Sequence, residues 1–465
     1  MIVMKFGGTS VQNGEAIERL INIVRSRLHR KPVLVLSATA NTTNTLIECA
    51  KVASCGNYDK AYEILRALKE KHLKIIRELF GDNEKIITEL TDRLKLIFDD
   101  LRDVVKGIFL LSELSQRSIA KVSSFGELFS TLIISCALND REIKSELIDA
   151  RNFMVTNNNF SNAEPVFDEI IKKARAILPA YVNSGTVVVT QGFIAATEDG
   201  ITTTFSRGGS DYSASVIGMA LDAEEIEIWT DVDGILTADP RKVQNTKIIK
   251  EISFKEAAEL AYFGAKVLHP SAILPAIEKN IPVRILNSMS PEKEGTLIRS
   301  GRKIRNDKNG FVIKSITSKS NITVLNIYSP KMLLAYGFLN KVFEVFDKYE
   351  TSVDLVTTSE VNVSLTLDNN ASSENDRLPE IEKELSAFSE VSIERDRSLV
   401  CVVGSDLKYI PGITGRIFNA LNAFNIFMIS QGASIINISF VVDNKDLDQV
   451  LQTLHKEFFE KENHN

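Results

Sequence analysis

The way the chain opens constrains its fold most. An apolar strand at 1–6 runs directly into Gly7-Gly8-Thr9-Ser10, a helical pattern follows at 15–27, and a buried strand at 32–36 ends in the polar loop 37–44. Strand, loop, helix, strand is the start of an α/β layered domain. The alternation continues with helix 127–138, strands 146–149 and 186–190, helix 210–221, strand 225–230, helices 254–263 and 270–280, and strand 283–285. One sizeable domain over 1–300 accommodates all of it. Residues 58–120 show helical periodicity and little else. Leu65, Leu68, His72, Ile75, Ile76 and Leu79 fall at helical spacing, as do Ile86, Ile87, Leu90, Leu94 and Ile97. This stretch reads as a helical insertion covering one end of the sheet.

Beyond the charged linker 300–309 the rhythm changes. Short strands are expected at 311–317, 322–328, 352–356, 362–367, 391–394, 399–403, 426–430 and 436–442, with helices at 337–349, 374–388, 412–424 and 446–459. Eight strands and four helices make two ferredoxin-like βαββαβ units. The order closes if one unit, 320–396, is inserted into a second made of 311–318 and 397–465.

Composition narrows the class. Lys plus Arg is 55 against 61 Asp plus Glu, a formal net charge of −6, which argues against a general nucleic-acid binder. The longest contiguous apolar runs fall far short of the ~20 residues of a membrane helix, and 1–10 shows no basic segment followed by an apolar one. Cys49, Cys55, Cys136 and Cys401 form neither a CxxC pair nor a disulfide framework. A cytoplasmic protein with no membrane or nucleic-acid partner is expected.

Four loops carry chemistry. In Lys5-Phe6-Gly7-Gly8-Thr9-Ser10 a strand delivers a lysine into a turn whose glycines let backbone N–H groups approach a phosphate. A plain tight turn has the same local sequence, and the spacing is not that of a Walker A loop. Phe205-Ser206-Arg207-Gly208-Gly209-Ser210-Asp211 joins a β-like segment to a helix. Ser210 or Asp211 can cap that helix, and Arg207 offers a planar fork for a carboxylate or phosphate. Trp229-Thr230-Asp231-Val232-Asp233-Gly234 continues through Leu236 to Asp239-Pro240-Arg241 at a strand's C-terminal end, where open α/β sheets bind ligands. Trp229 itself reads as a core packer. Phe263-Gly264-Ala265-Lys266-Val267-Leu268-His269-Pro270 presents Lys266 in a turn, able to reach a phosphate or to stay solvated. The inventory holds no Ser-His-Asp arrangement and no metal-ligand spacing. It suits a kinase whose acceptor is a carboxylate of pKa about 4, already ionised at pH 7 and needing no general base.

These motifs, with Thr190-Gln191-Gly192-Phe193, resemble those of aspartate kinase in order along the chain. The tail is similar to the ACT regulatory pair of that family. The resemblance implies an amino-acid-kinase-type αβα domain with a mainly parallel sheet plus two ACT units. It implies ATP-dependent phosphorylation of the L-aspartate side-chain carboxylate to 4-phospho-L-aspartate, the first step towards lysine, threonine and methionine. A monofunctional form is expected, since the chain stops without the homoserine dehydrogenase fused in some relatives.

By the same resemblance Lys5 stabilises the transferring phosphoryl group and Asp211 holds Lys5. Thr43, Glu127, Phe193, Arg207, Gly208, Gly209 and Ser210 surround aspartate. Lys5, Phe6, Gly7, Gly8, Thr230, Asp231, Leu236, Arg241, Lys266 and Val267 form the ATP side, with Mg²⁺ carried by the nucleotide rather than by a protein cage. Leu236 stands where many relatives have Tyr, which removes a hydroxyl there. Val353-Asp354-Leu355-Val356-Thr357-Thr358-Ser359-Glu360 is similar to the lysine-sensitive type. Met332, Phe338, Leu339, Val353, Asp354, Thr358 and Ser359 are its expected effector residues, with Asp354 pairing an ammonium. Leu334 and Ala335 replace a familiar His-Ser pair, and 430–434 is similar to threonine-binding relatives. Lysine is thus the favoured effector and threonine the second. A homodimer through the ACT units, or a tetramer, is expected. Two other readings stand beside this one: another amino-acid kinase of the same fold, and a non-catalytic amino-acid sensor with an inert kinase domain.

Overall fold

The computed structural model describes residues 1–206, 208–263, 270–301, 313–333, 336–368 and 377–460. The chain forms two compact units, one of Met1–Ile235, Lys250–Phe254 and Val267–Arg302, the other of Leu236–Ile249, Lys255–Lys266 and Lys303–Asn465.

In chain order the first unit contains strands β1 (Ile2–Phe6), β2 (Pro32–Leu36), β3 (Ser145–Leu147), β4 (Val187–Gln191), the hairpin β5 (Ile194–Ala196) and β6 (Thr202–Thr204), β7 (Glu225–Thr230), β8 (Glu251–Ser253), β9 (Val283–Asn287) and β10 (Thr296–Arg299). Its main sheet runs β3-β4-β2-β1-β7-β9-β10-β8. Every neighbouring pair is parallel except β9 with β10. All residues of β1, β2 and β4 are buried, the continuous pattern of strands covered on both faces. From β1 the sheet extends towards β2 on one side and β7 on the other. The loops leaving the carboxyl ends diverge at such a switch point and open a crevice.

The helices of this unit are α1 (Gly14–Arg27), α2 (Thr42–Ser54), α3 (Tyr58–Phe80), α4 (Glu84–Leu111), α5 (Gln116–Asp140), α6 (Phe167–Asn183) and α7 (Gly209–Ala220). Asn13, Asn57 and Asn83 cap α1, α3 and α4, each side chain accepting from the backbone N–H three residues on. Helix α5 begins well before the expected residue 127. Ser115 caps it, and Ser123 and Ser124 bond back to the Ile119 and Lys121 carbonyls, so these serines are absorbed within the helix instead of breaking it. By length and composition α5 could cross a membrane, but most of its apolar stretch is buried in the protein. The short strands β5, β6, β8 and β10 are not among the expected elements, nor is helix α6, although its Ile170, Ala174, Leu178 and Val182 recur every four residues on the buried face, with Pro179 between them. The expected helix 270–280 is a 3₁₀ turn followed by a single short helix.

The next helices are α8 (Phe254–Tyr262) and α9 (Leu274–Glu278). The tail adds β11 (Ile313–Tyr328), α10 (Phe338–Lys348), β12 (Leu355–Thr358), β13 (Asn362–Asp368), α11 (Leu378–Leu385), β14 (Glu390–Gly404), α12 (Ile413–Ala420), β15 (Met428–Gln431), β16 (Asn437–Asp443) and α13 (Leu447–His455). Its strands form one antiparallel sheet, β12-β13-β11-β14-β16-β15. Six strands replace the expected eight because two polar breaks do not end the ladder. The register shifts between Lys319 and Val324, and Asn321 and Asp396 take φ of 58° and 56°. Asn and Asp tolerate that left-handed conformation, so bulges carry β11 and β14 through both breaks. Two cores lie along the sheet. One gathers Leu325, Val342, Phe346 and Leu365, the other Val400, Ile417, Phe440 and Leu454. Each serves one ferredoxin-like half, and both halves use part of β11 and part of β14.

Candidate active site

Lys5 is the one charged residue of β1, at the centre of a buried parallel sheet. An ammonium in that position requires an anion beside it. Its Nζ lies 2.6 Å from Oδ1 of Asp211, in the first turn of α7. Gly208 starts that helix at φ 75°, a conformation glycine adopts without strain.

Three backbone hydrogen bonds continue past the strand ends and set the loops side by side: Gly7 N–H to Trp229 O (3.0 Å), Ser37 N–H to Phe6 O (3.1 Å) and Gly192 N–H to Leu36 O (2.9 Å). The second glycine of the opening motif answers to packing. A Cβ on Gly8 would stand 3.0 Å from the Ala38 carbonyl oxygen, and Gly8 O accepts from Ala40 N–H at 3.1 Å.

Glu127 enters from the middle of α5. Its Oε1 accepts from Ala38 N–H at 3.1 Å, while Oε2 is buried with no hydrogen-bond partner among the described residues. Burial pushes the carboxyl up to about 8, against the pull of the Ala38 N–H. Phe193 holds φ 65°, an outlier for a bulky residue and a mark of local strain. Its N–H donates to Ser213 Oγ at 2.9 Å and its carbonyl accepts from Phe205 N–H at 3.0 Å. A Cβ on Gly209 would fall 2.7 Å from the Phe193 ring.

Lys5, Gly8, Thr43, Glu127, Phe193, Gly208, Gly209, Ser210 and Asp211 line one pocket of about 650 Å³ in the first unit. Thr39, Asn41, Ser123 and Ser206 share its wall. In the sequence Ser206 stands within the 205–211 motif, Thr39 and Asn41 show only as part of the polar loop 37–44, and Ser123 lies between the helical stretch 58–120 and the helix expected from 127. Phe6 is in the core, stacked on Trp229 with centroids 6.0 Å apart, and Trp229 Nε1 donates to Glu227 Oε2 at 3.0 Å. Trp229 is thus a core packer. Gly7 adjoins Lys5 Nζ, 3.6 Å from where its Cβ would be. Thr230, the last residue of β7, and Asp231 after it lie outside that wall, with Thr230 Oγ1 donating to Asp231 at 3.2 Å. Leu236 and Arg241 belong to the second unit. There the Leu236 carbonyl accepts from Ser315 Oγ, and the exposed Arg241 forks onto Asp239 at 2.7 and 3.0 Å. Arg207, Lys266, Val267 and His269 lie outside the described residues.

In the second unit Asp354 is already partnered. Lys319 Nζ lies 2.8 Å from its Oδ2 and 2.9 Å from Asp368 Oδ2, and Tyr262 OH donates to Asp354 Oδ1 at 3.0 Å. Burial works against the Lys319 ammonium, but the two carboxylates hold its pKa above the ordinary lysine value. Phe338 opens α10 in the same half's core, with Met332 and Val353 packed against it, whereas Leu339, Thr358 and Ser359 are exposed. Leu334 and Ala335 fall outside the described residues.

Residues 1–287 match the amino acid kinase family and 400–458 match an ACT domain. The chain is 39% identical to the lysine-sensitive aspartokinase 3 of Escherichia coli over 99% of both chains. It is 38% identical to the chloroplastic aspartokinase 1 of Arabidopsis thaliana over 98% of this chain and 80% of that one. Two solved structures of E. coli aspartokinase III superpose closely. The aspartate and ADP complex (R-state) gives a TM-score of 0.81 at 38% identity over 99% of this chain and 100% of that one. The lysine and aspartate complex (T-state) gives 0.82 at 38% identity over 99% of each. A phosphate-friendly crevice with a paired lysine at its centre, a double ferredoxin-like tail and relatives alike over nearly all of this chain lead to one conclusion: the chain belongs to the aspartokinases, enzymes of the amino acid kinase family that carry ACT regulatory domains.

Proposed function

We propose that the pocket around Lys5 phosphorylates the side-chain carboxylate of L-aspartate by in-line transfer from ATP. The observation that carries this reading is the Lys5–Asp211 pair at 2.6 Å sharing a pocket with a buried carboxyl, Glu127, whose Oε2 lacks a partner among the described residues. Glu127 takes the α-ammonium of aspartate, Arg207 its α-carboxylate, and Thr43, Phe193, Gly208, Gly209 and Ser210 close around it. The side-chain carboxylate is ionised at pH 7 and attacks phosphorus directly, forming the new P–O bond as the bond to ADP breaks. Lys5 faces the charge on the transferring group, and Asp211 fixes its ammonium at one place. Gly8 brings its backbone N–H near the phosphates, while the Gly7 N–H is held by the Trp229 carbonyl and Gly7 serves by leaving room beside Lys5. Thr230, Asp231, Leu236, Arg241, Lys266 and Val267 form the nucleotide side. Mg²⁺ would be carried by the ATP and would supply neutralisation of phosphate charge there. We place the reaction in the cytoplasm, where ATP is abundant and four free thiols stay reduced.

The regulatory reading assigns 1–300 to catalysis and one ACT unit, 320–396, inserted into another made of 311–318 and 397–465. Lysine binds the inserted unit at a homodimer interface, its ammonium on Asp354; threonine is the second candidate. An effector must then share Asp354 with Lys319 and Tyr262.

The substrate test compares acceptors. L-aspartate should yield ADP and acyl phosphate, whereas succinate, which lacks the ammonium, should be phosphorylated at a small fraction of that kcat/KM. Equal use of succinate would remove Glu127 from the substrate site.

A further inference from the structure

Helix α3, in the insertion, reaches the segment 39–42 through two side chains, Lys71 and His72. Lys71 Nζ donates to the Ala40 carbonyl at 2.6 Å and to Thr42 Oγ1 at 3.0 Å. The Thr42 and Thr39 hydroxyls are 2.6 Å apart, Thr39 Oγ1 lies 3.4 Å from His72 Nε2, and His72 Nδ1 lies 2.8 Å from the Leu68 carbonyl. The two ends fix the direction of this chain. A carbonyl can only accept, so Nδ1 carries the proton. Burial lowers the ring's pKa to about 4, so the ring is neutral at pH 7 and Nε2 accepts. The Lys71 ammonium can only donate. Every link therefore runs one way, from Lys71 to Thr42, Thr39, His72 and Leu68.

Two of the residues held by this chain, Thr39 and Ala40, line the pocket, and so does Thr43, which follows the held Thr42 in sequence; Ala38 N–H anchors Glu127. Stabilising α2 does not account for Lys71. Thr42 is the first residue of α2, and a cation at a helix N-terminus opposes the dipole. Burial penalises the ammonium further.

We propose that Lys71 is a positioning residue for aspartate, its ammonium pinning Ala40 and Thr42, where the loop enters α2, so that the adjoining Thr43 and, through Ala38, Glu127 meet the substrate. This rests on the reading of Thr43 and Glu127 as the aspartate side of the pocket. The test is steady-state kinetics of the full chain as wild type, Lys71→Met, Lys71→Arg and Thr43→Val. Lys71→Met should raise the KM for aspartate about tenfold or more and leave the KM for ATP within about twofold. Lys71→Arg, which keeps a charged donor, should lie nearer wild type. An unchanged aspartate KM in Lys71→Met, or equal rises for both substrates, overturns the proposal. Should Lys71→Met fail to fold, Thr42→Val, which removes one of the two Lys71 acceptors and breaks the hydroxyl chain, must show the same split in smaller measure, or the proposal falls. An unchanged aspartate KM in Thr43→Val overturns the underlying reading, and the proposal with it.

Discussion

Replacing Glu127 by Gln should abolish a proton signal that the wild type gives on binding aspartate. The buried carboxyl titrates at about 8 instead of 4.5. At pH 7 about nine in ten ligand-free molecules hold that proton. An α-ammonium on Oε2 favours the ionised form, so binding expels it. Isothermal titration calorimetry in buffers of different ionisation enthalpy should count about 0.9 proton released per aspartate at pH 7. The apparent affinity should tighten about fifty-fold from pH 6 to pH 8, because the competent ionised fraction grows over that window. Stability moves the opposite way. Between 4.5 and about 8 the folded state keeps a proton that the unfolded chain has released. Stability therefore falls as pH rises through the window, by roughly 5 kcal/mol at most. Glu127→Gln is neutral throughout and should lose both the proton release and this slope. No release from the wild type, or equal release from Glu127→Gln, would refute the assignment.

Lys5→Met should cut turnover about 10²-fold or more in a folded protein, through loss of charge stabilisation on the transferring group; near-normal turnover with native circular dichroism removes Lys5 from the chemistry. Arg207→Ala should raise the KM for aspartate far more than that for ATP, and the reverse asymmetry would move Arg207 to the nucleotide side. Gly209→Ala places a methyl 2.7 Å from the Phe193 ring and 3.0 Å from Phe205 Cβ, so thermal melts should show a loss of about 1–3 kcal/mol. Asp354→Ala should desensitise the enzyme to lysine with little change in the uninhibited rate, while Lys319→Met, which removes the resident ammonium, should lower the lysine concentration needed for inhibition. If lysine leaves the wild type untouched and threonine inhibits it, the effector is threonine.

Local sequence carries the parts of this site that are built locally. The strand–lysine–diglycine opening needs only β1 and its turn, whereas Asp211, locally a possible helix cap, makes no cap and pairs with Lys5 as the resemblance implies, the N-cap being Gly208. Other features come from long-range packing. Glu127 is unremarkable in its helix; its burial, and hence its raised pKa, appears only when α5 packs against the Ala38 loop. The left-handed Phe193 is set by the Ser213 and Phe205 hydrogen bonds. Lys71 shows no signal, because a lysine on an amphipathic helix ordinarily faces water. Asp354 looks like an open ammonium site in the sequence. Its partners Lys319 and Tyr262 stand 35 and 92 residues away and reach it only through the fold. In the tail, Lys319-Ser320-Asn321 and Glu394-Arg395-Asp396 have the composition of turns, yet bulges keep both ladders running.

The most direct measurement is acyl phosphate trapping. Purified protein with MgATP, L-aspartate and hydroxylamine should accumulate aspartyl β-hydroxamate in step with ADP, and omission of aspartate should stop both. ADP formation without hydroxamate, or hydroxamate at the α-carboxyl, would contradict phosphoryl transfer to the side-chain carboxylate in the Lys5 pocket.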